Sequence, residues 1–236
     1  DQKVRTDVRT AHTMPSAAER EAVQAQHPKG MIYIPAGPFV SGRFHMDPFA
    51  NKGAEALHDV VELEGYLIDA FEHPNAMNAP PTVRVTWDMA KDTCEAEGKR
   101  LCSAQEWEKA CKGPRNNIYA YGNTFDPDFC GEGLPSEYAS GALKECRSDW
   151  GVFDMSGGFK EWTATSMAGD EARRMVKGGS LSSPEKGTRC AYATDESAGY
   201  NHPTIAFRCC RDVDAPPVAP PEPEPEEGDG EAEGQP

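Results

Sequence analysis

The chain has 236 residues, 38% of them hydrophobic, and a formal net charge of −15, which is room for one good-sized domain with or without tails. Residues 212–236 hold nine acidic residues and no lysine or arginine, so 24 cations against 30 acids leave the rest of the chain at −6, and neither part offers the basic stripe that nucleic-acid binding needs. No run of eighteen apolar residues occurs, which excludes a membrane-spanning helix.

In chain order, residues 1–29 are polar and read as a flexible leader, with one short helix capped by Ser16 and Glu19. The chain begins at Asp1 and not at Met, which predicts that a start has been removed, where a lipid anchor would sit. Met31–Pro35 reads as a strand, stopped by Pro35-Ala36-Gly37-Pro38 and resumed at Phe39-Val40. Residues 43–56 form a polar loop, and Val60–Ala70 alternates before turning apolar, as a strand that pairs with the first would. Thr86 caps a helix over Trp87–Glu97 that Gly98 ends. Ser103 opens a second helix with Glu106 at N3, a capping box, and places Trp107, Ala110 and Cys111 toward the core. Residues 115–150 are loop-rich. Arg174–Ser180, Thr188–Tyr192 and Ile205–Cys210 read as short strands, and residues 213–236 as an acidic, Pro/Glu-rich solvated tail.

The chain is organised around residues 151–163, Gly-Val-Phe-Asp-Met-Ser-Gly-Gly-Phe-Lys-Glu-Trp-Thr. Gly157 and Gly158 permit a tight turn. Asp154 and Glu161 flank it with the oxygen donors that a hard cation such as calcium takes together with carbonyls. Eight cysteines, an even number without any CxxC, point to disulfides and an oxidising compartment and away from zinc. The scattered His45, His58 and His73 read as surface residues, Trp107 and Trp162 as core anchors, and Asp126, Asp128 and Glu132 as a solvated acidic loop. Ser183, His202 and Asp195 make no triad, because no nucleophile elbow accompanies them.

The ordered set Met31–Phe39, Val85–Ala90, Lys99–Ala110, Tyr121-Gly122-Asn123, Gly151–Gly157, Glu161-Trp162-Thr163, Lys177–Ser180 and Ala206–Cys209 resembles the formylglycine-generating enzyme, or sulfatase-modifying factor, family over roughly residues 30–212. The resemblance implies an α+β, loop-rich, disulfide-stapled domain of the C-type-lectin-like kind. It implies one calcium site built from the side chains of Asp154 and Glu161 and the carbonyls of Gly157 and Phe159. The family's second calcium site is not expected, since Phe129 falls near the position of an asparagine ligand. The resemblance also implies the bridges Cys94–Cys209 and Cys111–Cys190. For the other four cysteines, Cys130 with Cys146 across one loop would leave Cys102 for Cys210, and a free or intermolecular pair is the alternative.

The family's oxidase uses two copper-binding cysteines after the Gly-Gly-Ser motif, because soft thiolates suit Cu(I). Here Ser183 stands at the first position and the segment is too short for the second, so copper and sulfatase activation are not expected. The iron-dependent sulfoxide synthases of the same fold take histidines from a separate helical domain that this chain lacks. The expectation is therefore a non-catalytic, calcium-stabilised binding or assembly module, secreted, periplasmic or at a cell surface, with a protein or glycan partner. The alternative is a family enzyme with altered oxidative chemistry and a groove near Ser182, Ser183, Glu185 and Arg208.

Overall fold

The computed structural model describes residues 15–45, 47–131, 139–179 and 183–216. A capped helix, α1 (Ala17–Gln24), precedes strand β1 (Met31–Ile34). Ser16 and Glu19 form the expected capping box. No residue of α1 is buried, but Gln24 Nε2 donates to the Met31 carbonyl at 2.8 Å and ties the helix to β1.

The stretch read as one strand over Val60–Ala70 is two. Strand β2 (Gly37–Ser41) pairs antiparallel with β3 (Asp59–Leu63), and β4 (Tyr66–Asp69) pairs antiparallel with β1. The break falls at Gly65, where a Cβ would lie 3.1 Å from the Tyr33 hydroxyl. All four residues of β4 are buried, as expected of a strand covered on both faces.

Helix α2 (Trp87–Ala96) is capped by Thr86, and α3 (Ala104–Lys112) carries the Ser103/Glu106 capping box. The two-residue strand β5 (Arg100–Leu101) joins them. One-turn helix α4 (Pro127–Cys130) follows. The hairpin β6 (Lys160–Met167) and β7 (Asp170–Gly178), one-turn helix α5 (Pro184–Gly187), and strands β8 (Ala193–Ser197), β9 (Ile205–Phe207) and β10 (Cys209–Asp212) complete the domain. One four-stranded sheet runs β1-β4-β10-β5, a second runs β8-β7-β6-β9, and β2-β3 form a two-stranded sheet of their own.

Two readings of the C-terminal third need correction. Thr188–Tyr192 is not a strand. Cys190 is held by Cys111 and its amide bonds the Ile118 carbonyl, so covalent and loop contacts fix this piece and the ladder starts at Ala193. Ile205–Cys210 is not one strand either. It divides at Arg208: β9 runs parallel to β6 in one sheet, and β10 lies between β4 and β5 in the other.

Each helix serves one core. Trp107, Ala110 and Cys111 of α3 pack with Ile34, Tyr66 and Ile68, and Ala90 and Cys94 of α2 pack with Trp162, Val176 and Phe207. Four disulfides join the layers: Cys94–Cys209, Cys102–Cys210, Cys111–Cys190 and Cys130–Cys146. The neighbours Cys209 and Cys210 reach different partners because successive side chains of a strand point to opposite faces. No helix among the described residues is long and apolar enough to cross a membrane.

Lys109 of α3 is 1% exposed and donates to the carbonyls of Pro35 and Gly37, both at 2.8 Å. Burial pushes its ammonium down to about 8, against a smaller upward pull from Glu62. A group depressed in the folded state holds fewer protons there than in the unfolded chain, so stability is gained as pH rises through that range. Wild type should therefore gain on Lys109→Met by up to about 3 kcal/mol between pH 8 and pH 10, read from urea denaturation at each pH. A difference that stays flat with pH would refute this.

Candidate functional site

The turn over residues 151–159 is shaped by backbone that few residues tolerate. Asp154 has φ +61° and Gly158 φ +65°, the left-handed region open to glycine and, less often, to Asp. A Cβ on Gly157 would lie 2.9 Å from the Cys130 carbonyl, and one on Gly179 would lie 2.7 Å from the Gly158 carbonyl. The second glycine pair, just after β7, thus lets its strand end lie against the turn.

Asp154, Gly157 and Phe159 line one small cavity of about 20 Å³, and Glu72, the residue three past β4, lines it too. That volume holds one water-sized body. Glu72 is 1% exposed and accepts from Ser140 Oγ at 3.0 Å, and Asp154 Oδ2 accepts from the Gly141 amide at 2.6 Å. Burial, then the charge of Asp154, push the Glu72 carboxyl up to about 8, with Arg208 opposing. Burial pushes Asp154 up to about 6, against the Gly141 amide and Arg208.

Of the four residues expected to hold calcium, three line this cavity and one lies away from it. Glu161 does not line this cavity. It is fully buried, and Arg208 Nε and Nη2 meet its two oxygens at 2.7 and 2.8 Å, while Trp107 Nε1 donates to Oε2 at 2.9 Å. The fork geometry of a guanidinium matches a carboxylate bidentately, so Glu161 serves Arg208. Glu72 takes its place as the second carboxylate at the cavity. Sequence reasoning missed it because it stands 82 residues before Asp154, and the only local sign is a charged residue directly after the apolar pair Ala70-Phe71.

Arg208 is likewise not a groove residue. It is fully buried, and besides Glu161 it donates to the carbonyls of Phe153, Asp69 and Ala70. Its role is to hold the buried carboxylate of Glu161. Glu161, Glu72 and Asp154 all act on this one guanidinium. With all three ionised, as a bound divalent cation would favour, the carboxylates would carry two negative charges beyond the one that Arg208 offsets, whereas without a cation, burial holds Glu72 protonated near neutral pH. Among the described residues no three His, Cys, Asp or Glu side chains converge as a metal cage, so carbonyls and water would complete the shell of a hard cation. Oxygen donors and a cavity of one-ion size are what a hard cation such as calcium takes.

Of the other groove residues, Ser182 lies outside the described residues. Ser183 stands at the N-cap of α5 without a side-chain cap bond, and the Glu185 side chain is exposed while its carbonyl accepts from the Tyr119 hydroxyl at 2.8 Å. Ser183, His202 and Asp195 do not form a triad: Asp195 pairs with Arg173, and His202 Nδ1 bonds Thr204 Oγ1 at 2.7 Å. His73 is half-buried and not a plain surface residue. It stacks on Phe207 at 4.8 Å and meets Glu97 at 3.2 Å. Trp107 and Trp162 are buried core anchors.

The fold and this turn define a domain of the formylglycine-generating-enzyme type. Residues 58–213 match the sulfatase-modifying factor enzyme 1-like domain, and the chain belongs to that family. It is 29% identical over 160 residues to the inactive C-alpha-formylglycine-generating enzyme 2 of Bos taurus, covering 58% of this chain and 52% of that protein. The protein of the same description from Mus musculus is 27% identical over 158 residues, 58% of this chain and 50% of that one. The chain thus spans about half the length of these curated relatives. Among solved structures, PvdO from Pseudomonas aeruginosa superposes with a TM-score of 0.62 at 16% identity, over 77% of this chain and 94% of that one, a likeness of fold.

Proposed function

We propose that this chain is a non-catalytic, calcium-stabilised binding or assembly module that recognises a protein or glycan partner in a secreted, periplasmic or cell-surface setting. The observation that carries this reading is that all eight cysteines are bridged and none is free. The family's oxidation needs thiolates to hold Cu(I), and the position that would supply the first holds Ser183. That two relatives are described as inactive enzymes supports the same reading. Four disulfides are consistent with an oxidising compartment.

With copper and a cysteine-containing peptide, the protein should consume oxygen no faster than a protein-free control. Turnover would sink the non-catalytic reading. In the calcium part of the proposal, Asp154 and Glu72 hold the cation together with carbonyls of Gly157 and Phe159. The cation supplies charge neutralisation and no chemistry. Saturating calcium should raise Tm by on the order of 5 °C, and a chelator should reverse it. Asp154→Asn and Glu72→Gln should each lose most of that shift. A wild-type Tm indifferent to calcium, with no calcium retained in native mass spectrometry, would remove calcium from the proposal and leave the binding reading in place.

A further inference from the structure

A second, larger cavity of about 610 Å³ opens between the 52–56 loop, helix α3 and the β6-β7-β8 face, and it shares no lining residue with the cavity at the acidic turn. Its walls are made small by Ala54, Ala56, Ala191 and Ala193, with Met167 and Met175 as flexible apolar surface. Lys177 and Glu108 lie at its floor, each almost fully buried.

The floor carries an imbalance. Glu108 meets Lys112 at 2.9 Å and Lys177 at 3.2 Å, so two ammonium groups share one carboxylate. Lys112 is satisfied, since it also donates to the carbonyls of Val40 and Gly42, both at 2.6 Å. Lys177 has three protons to donate, yet among the described residues its one hydrogen-bond acceptor is Glu108 Oε2 at 3.2 Å. Of the other acids at the cavity, Asp195 pairs with Arg173, and Glu55 shares Arg189 with Asp47, meeting it at 2.9 Å. Lys52 stands exposed at the rim, and Ala104 and Gln105 at the start of α3 line the same wall.

From these groups we infer that the cavity binds a carboxylate-terminated ligand with a small apolar body, the carboxylate meeting Lys177 and the body lying against the alanines and methionines. Either a polypeptide C-terminus or a free aliphatic acid supplies that chemistry. The inference goes beyond the proposed function and does not involve the cysteines or calcium, so it stands or falls separately from both.

The test is calorimetric titration of the full chain with acetyl-Ala-Met-Ala as the free acid, with its C-terminal amide, and with octanoate. The free acid should bind roughly ten- to a hundredfold more tightly than the amide, the worth of a hydrogen bond to a charged group. Octanoate binding in competition with the peptide marks a free acid as the source. Binding of the peptide alone marks a chain terminus. Lys177→Met, which leaves Glu108 its partner Lys112, should erase the preference for acid over amide. Ala193→Leu should weaken binding by narrowing the cavity with Lys177 intact, and it carries the test if Lys177→Met does not fold. The inference is overturned if neither acid binds wild type, if acid and amide bind equally, or if a folded Lys177→Met keeps the preference.

Discussion

Arg208→Met should cost at least about 3–5 kcal/mol, the penalty for leaving one buried charge unpaired. The expected loss is at the upper end, because Glu161 loses both guanidinium hydrogen bonds while Glu72 and Asp154 lose the nearby positive charge. In urea denaturation the variant should be largely unfolded before wild type begins its transition. Glu161→Gln should be milder. It removes one of the three negative charges, and the amide can still accept from Trp107, whose Nε1 lies 2.9 Å from the present carboxylate. If Arg208→Met and Glu161→Gln shift the midpoint equally, the Arg208–Glu161 pair alone matters and the wider cluster does not share the cation.

The second large effect concerns the two overlapping disulfides of Cys209 and Cys210. Cys94–Cys209 and Cys102–Cys210 close loops of 115 and 108 residues, almost the same loop twice. In the chain-entropy view, removing either one leaves the other closing that loop and should cost about 2–3 kcal/mol, while removing both should cost about 7 kcal/mol. The second figure lies within the whole stability of a typical domain, so the quadruple Cys→Ala chain should fail to fold at 37 °C. Guanidinium midpoints for the two double variants and the quadruple variant test this. Additive losses of about 5 kcal/mol for each bridge would mean that the two do not share a loop in the unfolded chain.

The parts legible in the sequence were those with local signatures. Thr86, Ser103 and Glu106 announced their helices because a cap needs particular side chains at fixed offsets. The family motifs placed the domain, and the glycines around residues 157 and 179 placed the turn. What stayed hidden depended on contacts distant in sequence. Strand β8, Ala-Thr-Asp-Glu-Ser, carries too little apolar or β-branched character to signal a strand, and it forms because β7 offers it an edge. The division at Arg208 is invisible because Ile205–Cys210 is uniformly strand-like, and only the demand of Glu161 for a buried cation turns the chain there. Glu161 itself fitted a ligand pattern, but its competitor for that role, Arg208, lies 47 residues on. The same distance effect hid Glu72 and the shared floor of Glu108 and Lys177.

The pairing of neighbouring Cys209 and Cys210 has a mechanical side. Strand β10 sits between β4 and β5, and its first two residues are bolted to Cys94 and Cys102. A pull on the chain beyond Asp212 would run through at most three residues of ladder before reaching covalent bonds. From there the load passes to the α2–β5 corner, and the β6–β9 sheet and the acidic turn lie inside the closed loop, off the load path. A module tethered through its C-terminal end could thus be stretched without disturbing the acidic turn or the larger cavity, for as long as those two bridges stay oxidised.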